Sequence, residues 1–376
     1  MSKQRYDIAV IGGGILGCSS ALHLARGGMR VLLLEAGGLC MEASSRNAGT
    51  LAIQYPRAEL TPYAMRSWEM WRDAKSWLGR DVGYREIGGL VLAFSDAEAE
   101  RLVRTAGARQ EAGAPIQLVD AKAARALEPQ LSDKVVLASY CAIDGYADST
   151  ISALAFKRAM SDAEVDLCEG CKVTRVDRGS SHFVVAGETA TFEASRILLA
   201  GGVWNRDLGN LLGLDLPVGQ RINQMIVTER QPQLVTRMLG VVSGRLSLKQ
   251  KPNGTVLIGG GWTGLPGHHG RSYRIDLKNL IGNLRLAGHS VPVLKNARVV
   301  RTWFGVRDHF PDYMPAIGAL DSSDTLFLIA CGVSGFTLGP FLGRLLADRI
   351  LGRQAELPLF DPQRWLRPGT RVSAVT

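Results

Sequence analysis

The stretch YDIAVIGGGILGCSSALHLARGGMRVLLLEAGG, residues 6–38, is the strongest indicator of the fold. It begins with an apolar run that suits a buried parallel strand, and it then turns through three glycines at the G-x-G-x-x-G spacing, Gly12, Gly14 and Gly17. An Ala/Leu-rich run typical of a helix follows, and a second apolar strand pattern ends at Glu35. Strand, glycine turn, helix and strand occur in the order of a βαβ unit, which predicts an α/β fold of the Rossmann type.

Each of these residues has a physical role in dinucleotide binding. Gly12 permits the tight turn, Gly14 lets the backbone approach a pyrophosphate at the helix N-terminus, and Gly17 lets the helix pack against the strand. The acidic Glu35 is placed to accept hydrogen bonds from the hydroxyls of a ribose. A G-x-G-x-x-G motif alone also fits a plain glycine turn, but the complete order favours a bound adenine dinucleotide.

The next segment, EASSRNAGTLAIQ, residues 42–54, indicates which dinucleotide is bound. An NAD-binding domain normally continues with alternating strands and helices, whereas this chain enters a loop of small residues that contains Arg46. Such a loop suits a segment that lies along a flavin. A Ser-rich linker is the alternative interpretation.

Length and composition indicate an ordinary globular protein. The chain has 376 residues, of which 46% are hydrophobic and 21% charged, so it can bury a large core and is expected to form about two domains. Its longest apolar runs fall well short of the ~18–20 residues of a membrane-spanning helix, and the N-terminus lacks the apolar stretch and cleavage site of a signal peptide. We therefore expect a soluble, cytoplasmic protein.

The net charge of +9 is spread along the chain without a long block of like charges. Scattered positive charge favours attraction of anionic small molecules, whereas nucleic-acid-binding proteins usually cluster their basic residues on one element. Nucleic acid is therefore not the favoured partner.

The cysteines and histidines do not indicate a metal site. The six cysteines are far apart in a chain without an export signal, so we expect reduced thiols. Cys168 and Cys171 form a C-x-x-C pair with no second pair nearby, and we interpret them as a chance pair beside a turn at Gly170. His268 and His269 lie in a Gly/Pro-rich segment that indicates a surface loop. We predict no metal.

The rest of the chain predicts helices and strands in mixed order, which indicates two interleaved domains. Helices are predicted over residues 60–78, 96–112, 120–127, 149–163 and 277–286. Strands are predicted over residues 84–94, 134–145, 171–178, 182–194, 196–205 and 222–230, and residues 246–261 predict a hairpin that turns at Pro252, Asn253 and Gly254.

The segment TLFLIACGVSGFTLGPFLGRLLADRIL, residues 325–351, predicts a buried strand, a glycine turn at Gly332 and Gly335, and a helix. A helix N-terminus has a partial positive charge and free N–H groups, which suit the pyrimidine end of a flavin, where negative charge accumulates on reduction. Simple packing of strand and helix is the alternative.

The segment RTWFGVRDHFPDYMPAIG, residues 301–318, places Arg301 and Arg307 on either side of a Trp-Phe-Gly core and ahead of a Pro-Asp turn. The arginines are thus attached to stiff backbone, and the planar fork of a guanidinium suits two charge-assisted bonds to a carboxylate. An ordinary surface salt bridge, with Asp308 or Asp312, is the alternative for Arg307.

The motifs at residues 8–49, 301–318 and 326–347 together resemble the D-amino-acid oxidase, glycine oxidase and sarcosine oxidase superfamily of FAD-dependent oxidoreductases, and the resemblance spans nearly the whole chain. It implies a Rossmann-like FAD-binding domain interleaved with a strand-rich α+β substrate domain. The FAD-binding domain would comprise residues 1–83, 145–216 and 316–376, and the substrate domain residues 84–144 and 217–315.

The resemblance also implies which residues contact FAD. They are Gly12, Gly14, Ile15, Leu16, Gly17, Glu35, Ala36, Ser44, Ser45, Arg46, Asn47, Ala48, Gly49, Val173, Ala200, Gly201, Trp204, Gly332, Gly335, Phe336 and Thr337. The loop between Gly332 and Pro340 is about two residues shorter than is common in the family, so contacts from Val333 and Ser334 are not predicted. In monomeric sarcosine oxidases a cysteine bonds the flavin at the position that matches Gly305, and the resemblance therefore implies noncovalent FAD here.

The activity implied is oxidation of the C–N bond of a small amino acid or secondary amine. In the family, an arginine at the position of Arg307 grips the substrate carboxylate; the amine gives a hydride to flavin N5, and the imine product hydrolyses. Arg301 would support this site or cap a strand.

Members with similar motifs include glycine oxidase, the β subunit of sarcosine oxidase and the catalytic subunits of opine and D-hydroxyproline dehydrogenases. Partner subunits or an electron-acceptor protein are therefore possible partners besides the small substrate. The alternatives are a tRNA-modifying FAD enzyme and an FAD-holding subunit without its own catalysis.

Overall fold

The computed structural model describes residues 5–188, 190–266 and 273–366. The predicted surface loop at His268 and His269 lies outside the described residues, as do residues 1–4 and 367–376 of the predicted FAD-binding domain.

A six-stranded sheet forms one half of the molecule. Its strands, in spatial order, are Asp166–Cys168, Val31–Leu34, Ile8–Ile11, Ile197–Leu199, Leu326–Ala330 and Ala316–Ala319. The first five are parallel, and Ala316–Ala319 is an antiparallel edge strand. The four interior strands are fully buried, which explains why their sequences are continuous apolar runs.

Nine α-helices lie within the described residues. In chain order they are α1 (Ile15–Arg26), α2 (Thr61–Arg72), α3 (Ala74–Leu78), α4 (Asp96–Glu111), α5 (Ala121–Leu127), α6 (Ser149–Asp162), α7 (Asn205–Asn210), α8 (Leu277–Ser290) and α9 (Gly335–Ile350). Short 3-10 helices cover Ala58–Leu60, Gly202–Trp204, Pro292–Asn296 and Pro362–Trp365.

Helices α1 and α9 pack side by side with their backbones unusually close. A Cβ atom on Gly343 would lie 2.5 Å from Cβ of Ser19, and one on Gly339 would lie 2.7 Å from a methyl group of Ile15. The hydroxyl of Ser19 donates a hydrogen bond of 2.8 Å to the carbonyl of Pro340. The two glycines therefore fix the N-termini of both helices side by side at the same end of the sheet.

An eight-stranded sheet forms the other half. Its strands, in spatial order, are Val299–His309, Gly219–Arg230, Thr255–Gly259, Ser247–Gln250, Met238–Val241, Gly89–Ala93, Leu137–Cys141 and Ile116–Asp120. Neighbours are antiparallel except for Met238–Val241 and Gly89–Ala93. Helix α8 covers this sheet with Leu280 and Ala287 in a shared apolar core.

Three smaller sheets complete the described structure. Arg5–Tyr6, Thr191–Ala194, Phe183–Gly187 and Val173–Arg178 form a four-stranded sheet; Thr50–Leu51, Gly145–Tyr146 and Arg85–Glu86 form a three-stranded one; Leu265–Pro266 and Tyr273–Arg274 form a pair.

Several element boundaries differ from the sequence prediction. The predicted helix over 60–78 is broken at Asp73 into α2 and α3, and the helix predicted to end at residue 286 continues to Ser290. The strand Ile116–Asp120 was not predicted because its side chains are mostly exposed, which leaves no apolar run to mark it.

The two large sheets use interleaved parts of the chain. The six-stranded sheet takes strands from residues 8–34, 166–168, 197–199 and 316–330, and the eight-stranded sheet takes strands from residues 89–141 and 219–309. The division into an FAD-binding and a substrate domain at the predicted boundaries remains our proposal.

The cysteines are all free thiols. The C-x-x-C segment packs against the end of the Glu35 strand: the N–H of Glu35 donates to the carbonyl of Cys168, and the N–H of Cys171 donates to the carbonyl of Glu35. Within the described residues, no three His, Cys, Asp or Glu side chains cluster as metal ligands. None of the described helices is both long and apolar enough to cross a membrane.

Candidate functional site

A cavity of about 1780 Å³ is lined by residues of both large sheets and by the N-termini of α1 and α9. Most of the residues predicted to bind FAD lie in its wall: Gly12, Gly14, Ile15, Leu16, Glu35, Ala36, Ser44, Arg46, Asn47, Ala48, Val173, Ala200, Gly201, Trp204, Gly332, Gly335, Phe336 and Thr337. The structure therefore brings together segments that are far apart in the chain.

Gly12 and Gly17 form the tight turn between the first strand and α1. Gly12 has a φ of +116°, and a Cβ atom there would lie 2.5 Å from the carbonyl oxygen of Ala200. A Cβ atom on Gly17 would lie 2.0 Å from the carbonyl oxygen of Gly12, so Gly17 packs beneath the turn and does not line the cavity. Gly14, the N-cap of α1, has no side chain to block the helix N-terminus, which faces the cavity wall.

The carboxylate of Glu35 is held at the rim of the glycine turn. Its Oε2 accepts a hydrogen bond of 2.7 Å from the N–H of Gly13, and its Oε1 accepts one of 2.8 Å from the N–H of Gly37. A carboxylate has about four acceptor positions, so Glu35 can still accept hydroxyl groups of a ligand. The backbone bonds fix its orientation beforehand.

The loop of residues 42–49 is folded against the N-terminus of α1. The Ser44 hydroxyl accepts a hydrogen bond of 3.0 Å from the N–H of Ile15. The Asn47 side chain stiffens the loop, since its amide donates to the carbonyls of Ala43 and Ser44. Two further predicted residues of this loop, Ser45 and Gly49, do not line the cavity.

The turn before α9 closes the cavity from the C-terminal side of the chain. Ser334 caps the helix with a left-handed backbone (φ +59°), and no side chain caps the helix N–H groups. The Thr337 hydroxyl donates 3.1 Å to the carbonyl of Thr50 and thereby ties α9 to the segment after the 42–49 loop. Val333 and Ser334, whose contacts were not predicted, also line the cavity.

Arg307 extends from strand Val299–His309 into the cavity. Its Nη1 donates hydrogen bonds to the carbonyl of Gly332 and, at 3.4 Å, to that of Asp308. Burial, and secondly the charge of Arg221, lowers the pKa of the Arg307 guanidinium. A partly desolvated guanidinium attracts an anionic ligand more strongly than one in water.

The alternative of a surface salt bridge does not fit Arg307. Asp312 pairs instead with Arg364, with 3.1 Å between Nε and Oδ2. Burial raises the pKa of the Asp308 carboxyl, and the charge of Arg307 offsets only part of that rise. Within the described ranges, no carboxylate lies within ion-pair distance of the Arg307 guanidinium.

Arg301 lies on the same strand, six residues before Arg307, and does not contribute to the cavity wall. Its side chain is exposed, and its guanidinium lies 5.2 Å from the centre of the Trp303 ring. We therefore do not include Arg301 in the proposed substrate site.

A second row of cavity residues, on strand Gly219–Arg230, was not predicted from the sequence. Arg221, Asn223 and Met225 line the cavity and stand opposite Arg307, Gly305 and Trp303 in the antiparallel register. Their spacing of two residues is the signal that could have placed them on one face of a strand. The pairing partner of that strand is about eighty residues away, so the sequence did not show what they face.

A buried lysine, also missed, lies next to the cavity wall. Lys249 is 1% exposed; its Nζ donates 3.3 Å to the hydroxyl of Thr50 and lies 4.8 Å from the centre of the Tyr146 ring. Burial, and secondly the charge of Lys251, lowers the pKa of Lys249 well below its usual value. Thr50 itself lines the cavity, so a single side chain, that of Thr50, separates the Lys249 amine from the cavity.

These features fit an adenine dinucleotide that carries a flavin. The bare glycine turn at the N-terminus of α1 suits a pyrophosphate, and the preoriented Glu35 carboxylate suits a ribose. The uncapped N-terminus of α9 lies in the same cavity and suits an electron-rich ring.

Comparisons with known proteins agree with this geometry. The chain matches the family model "DAO: FAD dependent oxidoreductase" over residues 7–349. It is 29% identical over 365 residues to a glycine oxidase of Geobacillus kaustophilus, in a match that covers 95% of this chain and 96% of that protein. It is 26% identical over 380 residues to one of the subunits of an opine oxidase of Rhizobium meliloti, in a match that covers 96% of this chain and 97% of that protein.

The crystal structure of the glycine oxidase from Geobacillus kaustophilus superposes with a TM-score of 0.87 at 28% identity, over 96% of this chain and 99% of that one. The predicted superfamily, the α/β fold class and FAD as cofactor are thereby confirmed. The chain belongs to the DAO family of FAD-dependent oxidoreductases.

Proposed function

We propose that this enzyme oxidises the C–N bond of a small amino acid or secondary amine. The observation that supports the proposal best is Arg307, a partly buried guanidinium that faces the cavity and has no carboxylate partner within the described residues. The names of the relatives support the same substrate class, since glycine and opines both carry an amine and a carboxylate.

FAD, when bound, would supply the hydride acceptor of the reaction. The residues that we assign to it are those predicted from the sequence that line the cavity, from the glycine turn to the N-terminus of α9. Gly305 offers no side chain for a covalent link, and a Cβ atom there would lie 2.9 Å from Cβ of Arg46. We therefore propose noncovalent FAD, which acid precipitation of the protein should release into the supernatant.

Arg307 would bind the substrate carboxylate through two charge-assisted hydrogen bonds and so fix the position of the neighbouring Cα–H. The positive charges of Arg307 and Arg221 disfavour a protonated amine in the same cavity, because like charges raise the cost of the ammonium form. The site thus keeps the amine neutral, which hydride loss requires. No dedicated general base is needed for this step.

The test is an anaerobic screen of amino acids and secondary amines against the FAD-loaded protein, read at the visible flavin absorbance. We expect at least one carboxylate-bearing amine to bleach the flavin, and the matching amine without a carboxylate to fail. The proposal would be overturned if dithionite bleaches the flavin and no amine does, which is the outcome expected of an FAD-holding subunit.

Two further properties remain to be measured in the same preparation. One relative is named as a subunit, so the mass of the complex recovered from the native host will show whether this chain assembles with partner chains. The ratio of absorbance at 260 and 280 nm, corrected for flavin, will show whether RNA copurifies, as a tRNA-modifying enzyme would require.

A further inference from the structure

Two guanidinium groups face the cavity side by side. Arg221 and Arg307 are directly opposite each other on the antiparallel strands Gly219–Arg230 and Val299–His309, and both line the cavity. Residues in this relation lie on the same face of a sheet with their Cβ atoms roughly 4.5–5.5 Å apart, and like charges there are destabilising. The pair is therefore unfavourable unless a ligand neutralises both charges.

The surrounding protein forms no ion pair with either of them, although the charge of the neighbouring Asp308 offsets part of the fall in the pKa of Arg307. The described parts of the chain place no carboxylate within ion-pair distance of either guanidinium. Arg221 donates through Nη2 to the carbonyl of Gly261 at 3.0 Å, and its buried Nε has no hydrogen-bond partner among the described residues. Nη1 of Arg221 donates to no described residue, so this end of the guanidinium is the group available to an anion in the cavity.

An unpaired acceptor lies beside the two arginines. Asn223 is two residues along the strand from Arg221 and therefore on the same face, and it also lines the cavity. Its Oδ1 is buried and has no partner among the described residues. Because this oxygen is shielded from solvent, it is not itself exposed to the cavity, and Asn223 contributes to the wall through its other atoms.

We propose that the substrate is an amine with a carboxylate on each of two arms, one bound by Arg307 and the other by Arg221. The proposal rests on the proposed function, in which Arg307 binds a carboxylate. It assigns to Arg221 a second anion subsite. Arg221 thereby becomes the residue that distinguishes dicarboxylate amines from glycine-like monocarboxylates.

The first experiment uses wild-type, FAD-loaded protein and ligands that differ by one carboxylate. Diglycolate, in which an ether oxygen replaces the amine and oxidation cannot occur, is compared with methoxyacetate by its perturbation of the flavin spectrum. Iminodiacetate is compared with N-methylglycine by the concentration that half-reduces the flavin under anaerobic conditions. We expect the dicarboxylate to be at least thirtyfold more effective in both pairs.

These two pairs separate the inference from the function on which it rests. If N-methylglycine reduces the flavin as well as iminodiacetate does, and diglycolate binds no more tightly than methoxyacetate, the second subsite is refuted while amine oxidation stands. If diglycolate binds tightly but no amine reduces the flavin, the dianion site stands and the proposed oxidation is refuted.

The second experiment tests Arg221 directly through the preference ratio, the half-reducing concentration of N-methylglycine divided by that of iminodiacetate. Arg221→Gln should lower this ratio at least tenfold, and Arg221→Lys, which keeps the charge but not the fork, should lower it less. Arg301→Gln is the matched control, because it removes the same charge from an exposed position on the partner strand and should leave the ratio unchanged.

An unchanged ratio in Arg221→Gln would overturn the assignment. If that variant does not fold or bind FAD, Arg221→Lys and the wild-type ligand pairs decide the question.

Discussion

Removal of the Arg307 guanidinium should abolish most of the affinity for the substrate carboxylate. Arg307 is partly buried, burial already lowers its pKa, and no carboxylate of the described structure pairs with it, so its charge is available to a ligand. Truncating one partner of a buried, hydrogen-bonded charge pair costs about 2–5 kcal/mol, which corresponds to roughly thirtyfold to several thousandfold in affinity. We expect a loss of this size in Arg307→Ala.

The assay is the concentration of substrate that half-reduces the flavin anaerobically in wild type, Arg307→Ala and Arg307→Lys. Arg307 also donates to Gly332 in the turn before α9, so the alanine variant loses a bond in the cavity wall as well. Arg307→Lys can keep that bond and the charge but not the bidentate fork, and should therefore recover only part of the affinity. The FAD content of each variant is measured to confirm that the cofactor site is intact.

A small effect would refute this reasoning. An exposed salt-bridge arginine would show less than about 1 kcal/mol for either change, which is about fivefold in the midpoint. If Arg307→Ala shifts the midpoint by less than this, Arg307 does not anchor the carboxylate, and Arg221 or Arg46 becomes the next candidate.

Three other variants test the cofactor site and the buried lysine. Glu35→Ala should weaken FAD binding at least tenfold, because charge-assisted hydrogen bonds contribute about 1.5–3 kcal/mol each; retention of flavin on dialysis equal to that of wild type would contradict the assignment. Gly12→Ala should abolish FAD binding or folding, since Gly12 has a φ of +116° and a Cβ atom there would lie 2.5 Å from a carbonyl oxygen. The control is Gly28→Ala, which should cost only the backbone strain, because Gly28 has a φ of +91° but open space around it. Equal losses in both variants would refute the role of close approach at Gly12. Lys249→Met should raise the melting temperature at pH 7. Because the pKa of Lys249 is lowered in the folded state, the unfolded state binds more protons below pH ~10.5, and the folded wild type loses stability as the pH falls below that value. The wild type should gain stability on this account as the pH rises toward ~10.5, the variant should gain less, and a melting temperature below that of wild type at pH 7 would contradict the prediction.

The sequence predicted the features that depend on local patterns. The βαβ order from Ile8 to Glu35 could be recognised because strand, turn and helix each leave their own periodicity, and the family resemblance extended this to the 42–49 loop and the turn before α9. The break between α2 and α3 at Asp73 was not predictable from an apolar face that continues through it.

The missed residues depend on pairing between distant segments. Arg221 became a candidate only when the register placed it opposite Arg307, because a single arginine in a strand is usually a solvated side chain. In the same way Lys249 resembles any lysine of a hairpin in the sequence, and only the packing of Thr50 and Tyr146 around it shows that its amine is buried. The proposed substrate site thus depends on contacts that no local pattern contains.

The close packing of α1 and α9 has a consequence for how the enzyme matures. The glycine turn of α1 and the strand Ile197–Leu199 are synthesised early. The strand Leu326–Ala330, which pairs with Ile197–Leu199, follows more than a hundred residues later, and the turn Gly332–Thr337 comes directly after it. At about 5–20 residues per second, the ribosome leaves this interior edge of the sheet unpaired for several seconds or longer. An unpaired, apolar strand edge is a template for aggregation, so the nascent chain is exposed to this hazard during the interval. The cavity wall itself is complete only once α9, whose N-terminus forms part of it, has been synthesised and has packed against α1.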